Sequence, residues 1–249
     1  MTDPTAALVV VGNEVLSAKV QDENGPWAAR RLRALGVRLV AVRVVADRVE
    51  DIAAAVREER QRASWVFTSG GVGPTHDDVT LAAVAAALGR PVVRLAALEA
   101  ALRALHRRHH GEAELPEAAL RMADVPEGSR LLGDPGYPTL AVENVFVLPG
   151  PPAFFRRQFD QVAPLLAGPP FRLAAVYLSV GEERFAAELA AVAAAHPEVE
   201  MGSYPRFDEG ACYRVRVTVE SRDAARVEAA LGEFLRALPP GWVLRSEGP

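Results

Sequence analysis

The segment "FTSGGVGPTHDDVT", residues 67–80, places three glycines, a proline and two adjacent aspartates between two regular stretches. The apolar run 65–68 before it is typical of a strand that is buried on both faces. The alanine-rich residues 79–88 after it are typical of a helix that ends at Gly89. A buried strand, a glycine-rich loop and a helix in this order predict one step of an α/β fold.

The same step recurs on both sides of this loop. The order β-α-β-α-β-α predicts a mainly parallel sheet with helices on both faces, because each right-handed crossover must cover the sheet. We therefore expect a three-layer α/β/α domain. The predicted strands are residues 6–11, 37–45, 65–68 and 144–148, and the predicted helices include 23–35, a segment after Asp47, 79–88, and a segment after the "LPGPP" turn.

The pattern changes after "AGPP", residues 167–170. Four predicted strands and two helices then follow in the order βαββαβ, which is the ferredoxin-like arrangement. We therefore predict two domains, residues 1–168 and a small α+β domain at 169–249. The middle, residues 92–135, is less regular: we expect a strand at 92–95, helices around 98–105 and 116–123, and a turn at 133–138.

The composition narrows the class of function. The 28 Lys+Arg and 32 Asp+Glu residues give a net charge of -4 and are scattered, which argues against a nucleic-acid or polybasic membrane partner. Cys212 is the only cysteine, so no internal disulfide is possible. No apolar run has the length of a membrane span or a signal peptide. We expect a cytoplasmic protein with a small-molecule ligand.

Four segments with unusual residues each follow a predicted parallel strand. They are "GNE" at 12–14, Asp47, "SGGVGPTHDD" at 69–78 and "LPGPP" at 148–152. The carboxyl ends of parallel strands share one edge of the sheet, and ligands of open α/β sheets bind there. The sequence therefore predicts a site that these four segments build together.

The glycine-rich loop is predicted to bind phosphate. Gly70, Gly71 and Gly73 can adopt positive φ and present backbone N–H groups, and a helix beginning near Asp77 or Asp78 would favour an anion. The loop is neither a Walker A sequence nor a GxGxxG dinucleotide fingerprint.

The two aspartates have a simpler alternative reading, since either one alone could be the N-cap of the helix. Two carboxylates beside a phosphate would repel it unless a cation lies between them, and hard oxygen ligands suit Mg²⁺ or a similar divalent ion. We predict that Asp77 and Asp78 are catalytic and hold this metal. The predicted substrate-binding or phosphate-binding residues of these loops are Gly70, Gly71, Gly73, Pro74, Thr75, His76, Thr80, Pro149 and Gly150.

Three segments carry a family resemblance. "TSGGVGPTHDDVTLAAVA", "GNEVLSAKVQDENG" and "ENVFVLPGPPAFFRRQF" resemble motifs of the molybdopterin-binding-like superfamily. This superfamily includes the MogA and MoaB proteins, the gephyrin G and E domains, the competence-damage protein CinA, and the N-terminal module of animal FAD synthase. Further on, "MGSYPRFDEGACYRVRVTVES" resembles the segment that follows this module in FAD synthases, so the resemblance extends over almost the whole chain.

The resemblance also indicates a branch. Molybdopterin adenylyltransferases have an arginine where this chain has Asp77, and Pro74-Thr75 followed by the aspartate pair is similar to the CinA and FAD synthase branch. That branch implies a metal-dependent pyrophosphatase acting on ADP-ribose or FAD. The cofactor it implies is a divalent ion, Mg²⁺, Mn²⁺ or Co²⁺, with potassium as a possible second cofactor. It also implies assembly as a homodimer or a homotrimer.

Single residues carry over from the family motifs. Asp78 matches the aspartate of the DVT element and Asp47 the acidic residue after the second strand, whereas Glu14, Asp22 and Asn24 match the GDExL and DtN positions. The resemblance implies that Asp47 is catalytic and holds the metal together with Asp77 and Asp78, and that Glu14 and Asn24 bind the substrate. The chain departs from those motifs at three positions, where aspartate, glycine and threonine are usual: Asn13, Ala18 and Glu23.

Two other function classes stay open at this stage. One is a non-catalytic module that binds a pterin or a nucleotide, and the other is a molybdopterin adenylyltransferase. Because the chain ends at Pro249, we expect neither the C-terminal amidohydrolase activity of CinA nor the FMN adenylyltransferase activity of FAD synthase.

Overall fold

The computed structural model describes residues 3–111, 114–208 and 210–249. The chain divides into two compact units, Met1–Gly168 and Pro169–Pro249. In the first unit the strands are β1 (Thr5–Val11), β2 (Arg38–Val45), β3 (Trp65–Ser69), β4 (Val92–Arg94), β5 (Asp124–Pro126), β6 (Arg130–Leu132), β7 (Thr139–Val142) and β8 (Val145–Leu148). Its helices are α1 (Asn13–Leu16), α2 (Asn24–Ala34), α3 (Val49–Arg62), α4 (Thr80–Leu88), α5 (Ala96–His110), α6 (Glu117–Leu120) and α7 (Pro152–Val162), with 3₁₀ turns at Arg121–Ala123 and Ala163–Leu165.

The main sheet of the first unit has six strands in the order β2-β1-β3-β8-β7-β6. The first four are parallel to one another, whereas β7 runs antiparallel to both β8 and β6. The prediction of a mainly parallel sheet is confirmed. The carboxyl ends of β2, β1, β3 and β8 therefore lie side by side at one edge.

Helices cover both faces of this sheet, so the predicted three-layer arrangement is also confirmed. On one face, Ile52 of α3 and Val84 of α4 pack against the central strands. On the other face, Leu32 of α2 and Phe155 and Phe159 of α7 pack against a second set of strand residues. Strand β1 is buried along almost its whole length, because its side chains pack alternately into the two cores.

The segment between α5 and β8 differs most from the prediction. Strands β5, β6 and β7 were not predicted, and β4 pairs with β5 in a separate two-stranded sheet rather than with the main sheet. Strands β4, β5 and β6 have only three residues each, too few for an alternating apolar pattern to show in the sequence. Glu143, with a positive φ of 51°, lies in the tight turn between β7 and β8.

The second unit consists of β9 (Arg172–Leu178), a 3₁₀ turn at Glu182–Arg184, α8 (Ala186–Ala195), β10 (Glu200–Pro205), β11 (Val215–Ser221), α9 (Ala224–Ala237) and β12 (Val243–Glu247). Its four strands form an antiparallel sheet in the order β10-β11-β9-β12. This is the strand order of a ferredoxin-like βαββαβ fold, as predicted. Within the described residues, no helix has the length and apolar character needed to cross a membrane.

A buried carboxylate connects β2 to α3 in the first unit. Glu59 has no exposed side-chain surface, and its Oε1 forms an ion pair with Nε of Arg43. Nη1 of Arg62 lies 3.4 Å from the same oxygen. A buried charge is tolerated only when it is paired, so the seating of α3 depends on Arg43.

We expect Arg43→Met to lower the free energy of unfolding by about 2–3 kcal/mol, because Glu59 then keeps only the weaker contact with Arg62. The double variant Arg43→Met/Glu59→Met removes both charges and should recover most of this loss. Urea denaturation of the two variants and the unchanged protein is the measurement. Equal losses in the single and double variants would contradict the pairing argument.

Candidate functional site

The loops that follow β1, β2, β3 and β8 contact one another at the carboxyl edge of the sheet. The N–H of Gly12, after β1, donates to the carbonyl of Val45 at the end of β2, at 3.1 Å. The N–H of Gly70, after β3, donates to the carbonyl of Leu148 at the end of β8, at 3.1 Å. The four segments singled out in the sequence are therefore neighbours in the structure.

Two glycines bring the loop after β3 against its surroundings. Gly70 has a φ of +105°, and a Cβ there would lie 2.4 Å from the carbonyl oxygen of Val11. Gly71 has a φ of +65°, and a Cβ there would lie 2.3 Å from Oγ1 of Thr80. A Cβ on Gly150, in the loop after β8, would lie 3.4 Å from Cα of Gly70. The positive φ and the Val11 carbonyl leave no room for a side chain at Gly70, so only glycine fits there.

Thr80 fixes this loop from beneath. Its side chain is fully buried, its hydroxyl donates to the carbonyl of Gly70 at 2.9 Å, and its N–H donates to the carbonyl of Gly71 at 2.9 Å. We predicted Thr80 as a ligand contact, and the structure gives it a positioning role instead, because its only hydroxyl proton is used within the loop.

Helix α4 begins at Thr80, later than the sequence suggested, and no side chain caps its N-terminus. Neither Asp77 nor Asp78 is therefore an N-cap. The simple structural explanation of the aspartates does not hold in this fold.

The two aspartates converge on a single threonine. The Thr75 N–H donates to Oδ2 of Asp78 at 2.8 Å. The Thr75 hydroxyl lies 2.6 Å from Oδ1 of Asp77 and is also within hydrogen-bond distance of Oδ2 of Asp78. Gly73 lies against the Asp78 carboxylate, since a Cβ on that glycine would be 2.7 Å from Oδ2. The loop thus presents two neighbouring carboxylates close to its glycines. Pro74, between Gly73 and Thr75 in the chain, is exposed.

The surroundings of Asp77 favour its ionised form. The hydrogen bond from the Thr75 hydroxyl is the main cause that lowers the pKa of Asp77 below its ordinary value of 3.8, and His76 adds a smaller attraction. The His76 side chain is 98% exposed, and its Nδ1 is 3.9 Å from Oδ1 of Asp77. His76 is therefore free to contact a ligand in solvent.

Asp47 serves the first loop rather than the aspartate pair. Its Oδ2 accepts a hydrogen bond of 2.7 Å from the N–H of Asn13, so it orients the start of α1. In the part of the chain that the structure describes, no group of three or more His, Cys, Asp or Glu side chains is placed to hold a metal ion. The structure groups Asp77 with Asp78, and it does not add Asp47 as a third metal ligand.

A cleft of about 230 Å³ opens beside this edge of the sheet. Its lining includes three predicted ligand contacts, Glu14, Asn24 and Gly150, together with residues that were not predicted. Asp22 accepts hydrogen bonds from the N–H groups of Asn24 and Gly25, so it fixes the start of α2 at the side of the cleft. The six lining residues that matter here are Glu14, Asp22, Asn24, Ser69, Gly150 and Pro151.

Asn24 joins two sides of the cleft. Its Nδ2 donates to Oγ of Ser69 at 2.9 Å and to the carbonyl of Gly150 at 2.7 Å. Because a carbonyl oxygen only accepts, the amide must be oriented in this way. Both amide protons are therefore used, and Oδ1 of Asn24 is buried without a partner in the described structure. Asn24 positions the loops after β3 and β8 and offers an acceptor rather than a donor for phosphate.

Ser69 was missed because a serine at a strand end carries no pattern of its own. The signal that could have found it is its place directly before the glycine pair, where its side chain must face a neighbouring loop. Pro149, which was predicted, follows β8 directly and is half-buried.

We expect Gly70→Ala to destabilise the protein by about 3 kcal/mol or more, because the new Cβ meets the Val11 carbonyl at a positive φ. Gly89→Ala is the matched control, since Gly89 also has a positive φ of +63° but nothing within 4 Å of the added Cβ. This control should cost only about 1 kcal/mol. Urea denaturation checks the difference, and equal losses would refute the close approach of the loops.

We expect Thr75→Val to raise the pKa of Asp77 toward 3.8, because the hydroxyl that lowers it is removed while the shape is kept. In the unchanged protein, this carboxylate favours the native state above its unfolded pKa, and the contribution disappears as the pH falls through the lower folded pKa. Carboxyl ¹³C NMR titration of both proteins measures the shift. An unchanged titration of Asp77 would rule out the Thr75 contact as its cause.

Comparisons with known proteins agree with this fold and with these motifs. Residues 7–168 match the family described as "Probable molybdopterin binding domain", and residues 170–247 match "FAD synthase, middle domain". A protein of Aeropyrum pernix is 37% identical over 94% of this chain and 91% of its own length.

Two named relatives cover different shares of the molecule. A "Probable FAD synthase" of Caenorhabditis briggsae is 31% identical over 93% of this chain, which spans only 49% of that protein. The crystal structure of the CinA protein from Thermoplasma acidophilum is 27% identical, covers 66% of this chain and 99% of its own, and has a TM-score of 0.58. The chain therefore belongs to the molybdopterin-binding-domain family, in the form in which this domain is followed by a FAD synthase middle domain.

Proposed function

We propose that this protein is a divalent-metal-dependent pyrophosphatase that hydrolyses the diphosphate linkage of a nucleotide such as ADP-ribose or FAD. The observation that carries the proposal is the carboxylate pair of Asp77 and Asp78 beside the glycine loop. Among the described residues, no arginine or lysine forms an ion pair with either aspartate, and His76 is the one side chain of possible positive charge beside Asp77. Such a pair is suited to a bound cation.

The glycine loop supports the binding of a diphosphate. No described hydrogen bond uses the N–H groups of Gly71 and Gly73, so these groups can donate to phosphate oxygens. The loop after β8, which contains Pro149 and Gly150, adjoins the glycine loop at Gly70. Glu14 lines the adjoining cleft, where its carboxylate can accept a hydrogen bond from a ribose hydroxyl.

The residues present fit a divalent ion that is held by two carboxylates. Mg²⁺ is commonly bound through one or two carboxylates together with the phosphates of its substrate, so a cage of three protein acids is not required. Asp77 and Asp78 would hold the ion, and Thr75 keeps both carboxylates in place. A bound divalent cation supplies the positive charge that neutralises the diphosphate oxygens.

Hydrolysis of the diphosphate consumes one water molecule. The water oxygen forms a bond to one phosphorus while the bond from that phosphorus to the bridging oxygen breaks, which leaves two phosphate monoesters. Asp78 would accept the proton of the water at Oδ1, since the Thr75 contacts involve Oδ2 and no donor to Oδ1 is described. Asp77, with its lowered pKa, remains an anion and would hold the divalent cation.

Purified protein with ADP-ribose or FAD should release AMP in the presence of Mg²⁺, Mn²⁺ or Co²⁺, with and without potassium. Asp78→Asn should lower kcat by about 100-fold or more, since it removes both an anionic ligand and the proton acceptor. Asp160→Asn is the matched control, because Asp160 is an exposed carboxylate that pairs with Arg31 on α2, outside the site. Quantification of AMP by chromatography is the measurement.

No AMP release with any of the three metals would overturn the proposed reaction. Equal activity of the Asp78→Asn variant and the Asp160→Asn control would show that a different group carries the chemistry.

The second candidate is a module that binds a pterin or a nucleotide without turnover. It is favoured by the Asn13 departure and by the lack of a three-acid metal group among the described residues. Calorimetry that detects ligand binding without AMP release would select this candidate. Adenylyl transfer to molybdopterin and assembly as a homodimer or homotrimer stay predictions.

A further inference from the structure

Helix α5 leaves an apolar cavity between itself and the sheet. None of the fifteen residues of α5 is fully buried, although Leu98, Leu102 and Leu105 form an apolar face. These leucines line a cavity of about 120 Å³. Met122 and Tyr137 line other sides of the same cavity. The helix thus covers the sheet without filling the space beneath it.

The size and lining of this cavity suit an aromatic ring. A dry apolar cavity of about 150 Å³ in another protein binds benzene, so about 120 Å³ accommodates roughly one ring, with a second ring reaching into the mouth. Water gains little in such a space, because a buried water needs two or more polar partners. The favoured occupant is therefore planar and largely apolar.

The cavity is continuous with the loops that carry the proposed diphosphate site. Val72 belongs to the glycine loop after β3, and Pro149 belongs to the turn after β8, and both residues line the cavity. In a nucleotide, the heterocyclic ring is joined through its sugar to the phosphates. One ligand can therefore place its diphosphate at these loops and its ring beneath α5.

Two polar side chains at the cavity can form hydrogen bonds with polar atoms of the ring. Gln158 donates Nε2 to the carbonyl of Pro138 at 2.9 Å, which leaves its Oε1 able to accept from a ring amino or imino group. The ring of Tyr137 packs against Phe154 at 5.5 Å and lies under the Arg157 guanidinium at 5.0 Å. Burial raises the pKa of Tyr137, so its hydroxyl stays protonated and can donate.

We propose that the cavity beneath α5 binds the planar nitrogen heterocycle of the nucleotide substrate. This inference rests on the proposed diphosphate hydrolysis, since Val72 and Pro149 connect the two sites. It assigns α5 and Gln158 to recognition of the ring and the glycine loop to the phosphates.

The chain offers a direct reporter of the ring. It contains three methionines, and Met122 lines the cavity, whereas Met201 lies on β10 of the second unit. With ¹³C-methyl-methionine NMR, we expect adenosine or riboflavin, neither of which carries phosphate, to shift the Met122 signal and to leave the Met201 signal in place. Met122→Leu assigns the signal, and pyrophosphate with Mg²⁺ should leave the Met122 signal unmoved.

A pair of alanines on α5 provides matched variants. Ala101 lines the cavity, and Ala104 is exposed on the same helix. Ala101→Phe fills the space and should raise KM for ADP-ribose or FAD by about tenfold or more, because the ring loses its apolar burial. Ala104→Phe should leave KM unchanged. Thermal unfolding of both variants verifies that each is folded.

The outcomes separate this inference from the proposed reaction. A Met122 shift by adenosine or riboflavin without any hydrolysis would keep the ring site and reject the pyrophosphatase. Hydrolysis of ADP-ribose or FAD without a Met122 shift by either nucleoside or by the substrate would reject the ring site. Equal KM values for the folded Ala101→Phe and Ala104→Phe variants would also reject it.

Discussion

The close approach of three backbones at Gly70 is the constraint on which the candidate site depends. Its N–H donates to Leu148 at the end of β8, and the space of a Cβ is taken by the Val11 carbonyl at the end of β1. Only a residue without a side chain can bring these strand ends so near. The phosphate-type loop is therefore a consequence of how tightly the parallel strands converge, before any ligand is considered.

Buried polar side chains then lock the loops around that contact. Thr80 connects α4 to the Gly70 carbonyl, and Asn24 connects the start of α2 to Ser69 and to the Gly150 carbonyl. These groups donate their protons to other groups of the protein, so they hold the loop geometry and leave ligand chemistry to their neighbours. The carboxylates of Asp77 and Asp78 remain at the accessible surface of the loop.

The sequence predicted the parallel layers because buried strands and amphipathic helices have strong, local periodic signals. It also predicted that the segments around Glu14, Asp47, Asp78 and Gly150 would meet, because parallel strands end at one edge. It did not predict β5, β6 and β7, whose short runs acquire strand structure only by pairing with neighbours. The sequence also did not predict which acids lie together. Asp77 and Asp78 both contact Thr75, whereas Asp47 accepts a hydrogen bond from Asn13.

The sequence by itself determined the α/β/α layers, the ferredoxin-like second unit and the glycine loop with its aspartate pair, because periodicity, turn residues and adjacent charges are local properties of the chain. Only the tertiary structure decided that Thr80 and Asn24 position loops, that Ser69 joins the cleft, and that the leucines of α5 border a cavity. Hydrogen-bond partners and unfilled volume depend on residues far apart in the chain, so they exist only once the chain is folded.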